Sequence, residues 1–331
     1  MLDAWAGTSG VPGLAAAVVS PQTTWSGAAG VDGAGRAIDA NSAFAIASTT
    51  KTFTAAEVLL LASQGKIDLD APVTTYLDLP FDTGGATIRQ LATMKSGFPA
   101  IADTALRRLV PEDLSRSFTA DEIIALSKDE PRVGTIDGPG KYNGLNYYVL
   151  GRVIEKVTGE TLATVLRRDL LGPAGLDRIW MQPQEKPVAP LTVAVDRPDA
   201  DVVDPASSYL PSLAAASTGW GGAGMAADAP SLARWGYLLY GGRIIRGDLV
   251  ATMTDGDPAS EHGYGFGTMI ADLDGRAVVG HAGDWIQYSS ILLVWPETRT
   301  AVAMLAPRDG LNVDGTLPDW AVRLYEALPH D

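Results

Sequence analysis

Ser48-Thr49-Thr50-Lys51 opens the first strongly apolar run of the chain, Phe53-Thr54-Ala55-Ala56-Glu57-Val58-Leu59-Leu60-Leu61. Residues three apart share a helix face, so the Ser48 hydroxyl and the Lys51 amine can meet. A serine hydroxyl is a poor nucleophile until a neighbouring base takes its proton, and a lysine stripped of water can be that base. The free N–H groups at the helix start favour the oxyanion formed when Ser48 attacks a carbonyl. By itself the pattern is more economically read as an N-cap serine followed by a solvated lysine. Other hydrolytic chemistries lack their residues. The three histidines, His262, His281 and His330, stand in no His-x-His or His-Glu-x-x-His pattern, and there is no Gly-x-Ser-x-Gly elbow. Zero cysteines exclude a thiol nucleophile, a thiolate metal site and a disulfide framework.

A serine and a lysine need a scaffold, and the apolar patterning supplies one. A chain of 331 residues, 46% apolar and 19% charged, builds a large core near the upper limit for one domain, so two intimately joined lobes are expected. Segments 14–19 and 24–29, separated by Ser20-Pro21-Gln22-Thr23, read as a hairpin. Short apolar strands then vanish and return at 264–271, 276–280, 288–295 and 300–305, followed by a terminal helix at 317–328. Helical patterns fill the interval: 49–64 stopped by Gly65, 121–128 after the cap residue Thr119, 146–157 stopped by Gly159, and 231–240 stopped by Gly241. The predicted fold class is α/β (α+β). An antiparallel sheet comes from both chain ends, 1–75 and 206–331, flanked by terminal helices; a mostly helical lobe, 76–205, is inserted, and the cleft lies at their junction.

The net charge of −14 disfavours nucleic-acid partners, and no run approaches the roughly 18 to 20 apolar residues of a membrane-spanning helix. Met1-Leu2-Asp3-Ala4-Trp5 has neither a basic n-region nor an apolar h-region. That leaves a cytoplasmic location, or a secreted or periplasmic one after removal of a signal peptide. Nothing in the pattern fixes an oligomeric state.

The surroundings of Ser48 say more. Phe44-Ala45-Ile46-Ala47-Ser48-Thr49-Thr50-Lys51-Thr52-Phe53-Thr54-Ala55, followed by Gly65-Lys66-Ile67-Asp68-Leu69-Asp70-Ala71-Pro72-Val73, has a recognisable form. It resembles the nucleophile region of class C β-lactamases, D-alanyl-D-alanine carboxypeptidases and family VIII-type esterases, in the serine β-lactamase and penicillin-binding-protein superfamily. Further matches follow in order: Thr87-Ile88-Arg89-Gln90-Leu91 leading to Ser96-Gly97, Pro139-Gly140-Lys141-Tyr142, Asn146-Tyr147, Leu150-Gly151, Gly222-Ala223-Gly224-Met225 before Asp228, and Gly280-His281-Ala282-Gly283. The resemblance spans nearly the whole chain.

It implies a β-lactamase/transpeptidase-like fold and catalysis through an acyl-Ser48 intermediate, with Lys51 and Tyr142 as proton-transfer partners and no metal or cofactor. Beside Lys51 the Tyr142 phenolate is favoured, so the tyrosine is placed to relay a proton to the leaving group. His281-Ala282-Gly283 matches the third motif. A cation or donor at His281 would orient a substrate carboxylate, and Gly283 would let the backbone approach the acyl group. The Asp284 N–H would join that of Ser48 in an oxyanion hole.

The sequence departs from the family in three places. Gly144 stands where the Tyr-x-Asn motif places an asparagine whose amide meets the acyl-amide side of the substrate, and neither Asn143 nor Asn146 is spaced to replace it. Met94 stands where relatives often carry histidine, a packing position. The acid at Asp284 is unusual; it reads either as a selector of cationic groups or as a solvated strand-end aspartate. The expected substrates are small-molecule carboxylic esters, and D-amino-acid amides, peptides or β-lactams, with short esters preferred because of Gly144. An acyltransferase using the same intermediate and a non-catalytic penicillin-binding-like protein are the alternatives.

Overall fold

The computed structural model describes residues 1–101, 103–195, 212–273, 275–285 and 287–328. Its first hairpin forms around the Pro21 turn: β1 (Gly13–Val19) and β2 (Thr24–Gly30) pair antiparallel, with Gly13 opposite Gly30 and Val19 opposite Thr24. The other edge of β1 takes a strand from the far end of the chain, β9 (Thr300–Ala306), with Val18 opposite Val302. With β8 (Tyr288–Trp295), β7 (Arg276–Trp285) and β6 (Met269–Leu273), they complete a six-stranded antiparallel sheet ordered β2-β1-β9-β8-β7-β6.

Period-two alternation divides the core between the two faces of this sheet. Leu14, Ala16 and Val18 of β1 join Val302, Met304, Trp320 and Tyr325 in a layer beneath the terminal helices, where Trp5 stacks on Trp320 at 5.2 Å and Trp295 on Tyr325 at 3.9 Å. Ala15 and Ala17 face the opposite layer, together with Leu292, Val294 and the helix Ala229–Tyr240. That helix starts where Asp228 accepts the Ser231 N–H at 2.8 Å, an N-cap bond.

The structure departs from the expected pattern in three places. β6 begins at Met269, not at Tyr264; a 3₁₀ turn, Glu261–Gly263, and Gly267 at φ +71° break the earlier stretch. β7 runs on past Gly280 to Trp285, carrying the His281-Ala282-Gly283 motif within the sheet. A second, three-stranded sheet also forms, from β3 (Phe44–Ala45), β4 (Ile179–Met181) and β5 (Met225–Ala227), in the order β3-β5-β4. Strands of two or three residues are too short to show a period. The expected lobe boundary at 205/206 lies outside the described residues. Among the described residues no helix is long and apolar enough to cross a membrane.

Candidate active site

The chain leaves β3 and reaches Ser48 through Ala47, which sits at φ +47°. A left-handed alanine is strained, and here it turns the backbone so that Ser48 stands within a 3₁₀ turn, Ala47–Thr50. The α-helix proper is Lys51–Ser63, so Ser48 lies one turn ahead of it and not at the start of the continuous helix expected from residue 49. This helix is buried on every side over its first nine residues. Phe53 stacks on Trp235 at 3.9 Å, and the Trp235 indole donates to the Thr52 hydroxyl at 3.0 Å.

Lys51 is 2% exposed. Its Nζ donates to Ser48 Oγ at 2.8 Å and to the Gly222 carbonyl at 2.9 Å, and lies over the Tyr142 ring, 4.9 Å from its centre. No carboxylate pairs with it among the described residues, and burial brings its pKa down to about 7. A lysine so placed is neutral in a large fraction of molecules near neutrality; its lone pair then accepts the Ser48 proton while one N–H stays on Gly222. The Tyr142 hydroxyl is buried and turned toward Ser48 without a formed hydrogen bond. Burial pushes its phenol well up, opposite to the phenolate expected from the sequence. Tyr142 therefore rests as an intact phenol, and Lys51 is the group beside Ser48 that can accept a proton.

The third motif reaches the same place through the sheet. β6 stops pairing with β7 at Gly280, so beyond that residue β7 faces the nucleophile turn. A Cβ on Gly283 would lie 2.8 Å from the Ser48 nitrogen and 2.6 Å from the Ile46 oxygen; only glycine permits this approach. The Ser290 hydroxyl pins β8 to the turn, donating to Ile46 at 2.6 Å and meeting the Thr49 hydroxyl at 2.8 Å.

His281 does not present a cation to the cleft. It is 1% exposed, and its ring nitrogens meet the Ala282 carbonyl at 2.6 Å and the Tyr264 hydroxyl at 2.9 Å. A carbonyl only accepts, so Nδ1 carries the hydrogen and Nε2 accepts from Tyr264. Burial, with the Lys51 charge second, brings its pKa down to about 3, so the ring is neutral and props the strand. Asp284 is not a solvated strand end either. Its Oδ1 accepts from the Ser289 hydroxyl, from Gly310 N–H at 3.1 Å and from the Asn312 amide at 3.1 Å.

A cleft of about 300 Å³ opens above Ser48, lined on the helical side by Ile101, Leu106, Tyr142, Gly144 and Tyr148, and on the sheet side by Asp284 and Trp285. Gly144 faces open space: a Cβ there meets nothing within 4 Å. Asn143 cannot substitute, because its amide donates to Phe98 and Pro99 carbonyls and its oxygen accepts from Leu145 N–H. Asn146 is spent on Ser96 and Met94. The structure thus brings Ser48, Lys51, Tyr142, Gly144, Gly283 and Asp284 around one cleft and sets the His281 ring behind it. His330 lies outside the described residues. Sequence reasoning missed the Gly222 carbonyl as the second Lys51 partner, Tyr264 as the partner of His281, and the apolar wall of Ile101, Leu106 and Trp285. None of these has a local signal.

The Beta-lactamase family model matches residues 3–327. The chain belongs to that family. Similar proteins include a D-stereospecific amidohydrolase from Streptomyces sp., 27% identical, with a TM-score of 0.79 over 93% of this chain and 92% of that one. A D-amino acid amidase from Ochrobactrum anthropi SV3 shares the fold at a TM-score of 0.84, covering 99% of this chain and 98% of that one at 24% identity. A D-aminopeptidase from Brucella canis is 27% identical over 250 residues, 72% of this chain. The chain spans 44% of that relative's length. The Ser48–Lys51 pair lies within the span that the family model matches.

Proposed function

We propose that the chain hydrolyses amides of D-amino acids, or short peptides that begin with one, through an acyl-Ser48 intermediate. The observation that carries this reading is the Ser48–Lys51 contact of 2.8 Å with a lysine whose pKa is brought down to about 7. The names of the similar proteins, a D-stereospecific amidohydrolase and a D-aminopeptidase, supply the substrate class and its hand.

Neutral Lys51 takes the hydroxyl proton as Ser48 Oγ attacks the substrate carbonyl. Charge gathers on the carbonyl oxygen, which the N–H groups of Ser48 and Asp284 receive. Collapse breaks the C–N bond. The Tyr142 phenol protonates the departing nitrogen and recovers its proton from Lys51. Water then attacks the acyl-serine, yielding acid and free Ser48. Esters, with better leaving groups, pass through the same steps, so the ester turnover expected from the sequence is an accompanying activity.

A fluorophosphonate is expected to add one mass increment, on Ser48, and Ser48→Ala is expected to lose both that increment and the hydrolysis of D-alanine p-nitroanilide while unfolding at an unchanged temperature. Persistent hydrolysis in Ser48→Ala would remove the proposal, and faster cleavage of the L-alanine analogue would remove its stereochemistry.

A further inference from the structure

The cleft lining divides into a polar end and an apolar one. Ser48, Lys51 and Tyr142 form the first; Ile101, Leu106, Leu145 and Tyr148 on the helical side and Trp285 on the sheet side form the second. Residues 281, 283 and 285 share one face of β7. A Cβ on Gly283 would point at the Ser48 nitrogen, so Trp285 stands on the Ser48 side, packed against the same core layer as the nucleophile helix. Asp284 lies on the other face, where its carboxylate is tied to Ser289, Gly310 and Asn312. Among the described lining residues the Tyr142 hydroxyl and the Trp285 indole N–H are donors without a partner, and both atoms are buried. The Tyr148 hydroxyl is spent on the Thr218 carbonyl. What the second end offers a ligand is therefore mainly carbon.

Gly144 opens this apolar end. A Cβ there would meet nothing within 4 Å, and its backbone, at φ −59° and ψ −34°, is one that any residue adopts, so no backbone demand explains the glycine. The room it leaves is held open. The Asn143 amide donates to the Phe98 and Pro99 carbonyls and its oxygen accepts from Leu145 N–H, which ties the Gly144 turn to the segment carrying Ile101. A carbonyl over Ser48, with its oxygen between the Ser48 and Asp284 N–H groups and its nitrogen at Tyr142, would direct its remaining substituent into this end. The cleft volume of about 300 Å³ stands at the bottom of the range of about 300 to 1,000 Å³ in which proteins hold small molecules, which suits one residue and not an extended peptide. We infer that Gly144 is a specificity residue: the space it leaves, with Leu106, Tyr148 and Trp285, receives a bulky apolar side chain on the acyl residue of the substrate. This rests on the proposed amide hydrolysis and selects, among amino-acid amides, those with large branched or aromatic side chains.

The test compares kcat/KM for D-phenylalanine amide with that for D-alanine amide, followed by ammonia release, in the wild type, Gly144→Ala and Gly144→Leu. The leaving group is ammonia in both substrates, so only the acyl side chain can fill the apolar end. One methylene in an apolar pocket discriminates by about 10- to 200-fold, so the wild-type ratio is expected to favour the phenylalanine amide by at least about 10-fold. The ratio is expected to fall in Gly144→Ala and further in Gly144→Leu, through KM for the phenylalanine amide more than through kcat. Gly144→Ala adds one carbon in open space, so the sign of the effect stays testable if the leucine variant does not fold. A wild-type ratio at or below one would overturn the side-chain pocket. A high wild-type ratio that neither variant moves, including a loss shared equally by both substrates, would overturn the assignment to Gly144. If p-nitrophenyl acetate is hydrolysed and neither amide is, the amide reading itself fails and this inference falls with it.

Discussion

Lys51 and Tyr142 stand about Ser48 with opposite protonation preferences, and both follow from burial. Removing water disfavours the ammonium of Lys51 and the phenolate of Tyr142 alike, so the resting pair is an amine near its midpoint and an intact phenol. The sign of the pH response follows. Lys51 must be neutral to act, so kcat/KM is expected to rise with pH through about 7 and then level off. Lys51→Ala should lose that limb together with about 10²- to 10⁴-fold in acylation, and Tyr142→Phe should lose rate while keeping the limb. The double variant is expected to be little worse than the worse single one, since both serve one proton path. A pH limb that survives Lys51→Ala would show another base at work.

At the scale of elements, the site depends on how closely β7 approaches the turn Ala47–Thr50. Gly283→Ala would place a methyl 2.8 Å from the Ser48 nitrogen and 2.8 Å from Ser290 Oγ, so either the strand or the turn must move. Overpacking of this kind costs about 1 to 3 kcal/mol. Displacing an oxyanion donor costs about 10²- to 10³-fold in rate, so thermal melts and ester kinetics on the variant should both fall, kinetics more steeply. Wild-type rates in Gly283→Ala would mean that the strand does not frame the reacting carbonyl. This approach was half legible in the sequence. Ser48 with Lys51 is a local pattern that residue spacing brings together, whereas Gly283 was reached only through the family resemblance, since the strand read from the sequence stopped at Gly280. What lies around them was not legible. His281 reads as a cation until the Tyr264 hydroxyl and the burial of the strand are known, and Asp284 reads as solvated until residues 289, 310 and 312 close on it. The β3-β5-β4 sheet escaped for a simpler reason: its strands carry too few residues for any alternation to appear.

For the whole molecule, the buried acid on the nucleophile helix couples folding to pH. Glu57 is fully buried, six residues beyond Lys51 on the helix, with no formed hydrogen bond; its carboxyl faces Asp169, whose own charge Arg168 holds. Burial first, and the Asp169 charge second, raise the Glu57 pKa from 4.5 to about 8. Between those two values the unfolded chain has released this proton and the folded chain keeps it. The unfolded state therefore binds fewer protons, and the Glu57 contribution to stability falls as pH rises through that window, levelling off above about 8. Lys51 and His281 titrate with the opposite sign, because their folded pKa values are depressed and stability grows with pH between the folded and unfolded values. The total curve mixes these slopes, but a difference curve separates them. Glu57→Gln removes the one titration and leaves the other two. Its stability relative to the wild type is expected to be flat below pH 4.5 and to climb steadily toward pH 8. A tenfold difference in proton affinity between the folded and unfolded chains is worth about 1.4 kcal/mol, so the gain across the window should exceed about 2 kcal/mol. Urea unfolding of both proteins at pH 4, 6 and 8 measures it, and a difference that stays constant across the three would show that Glu57 is ionised in the folded state.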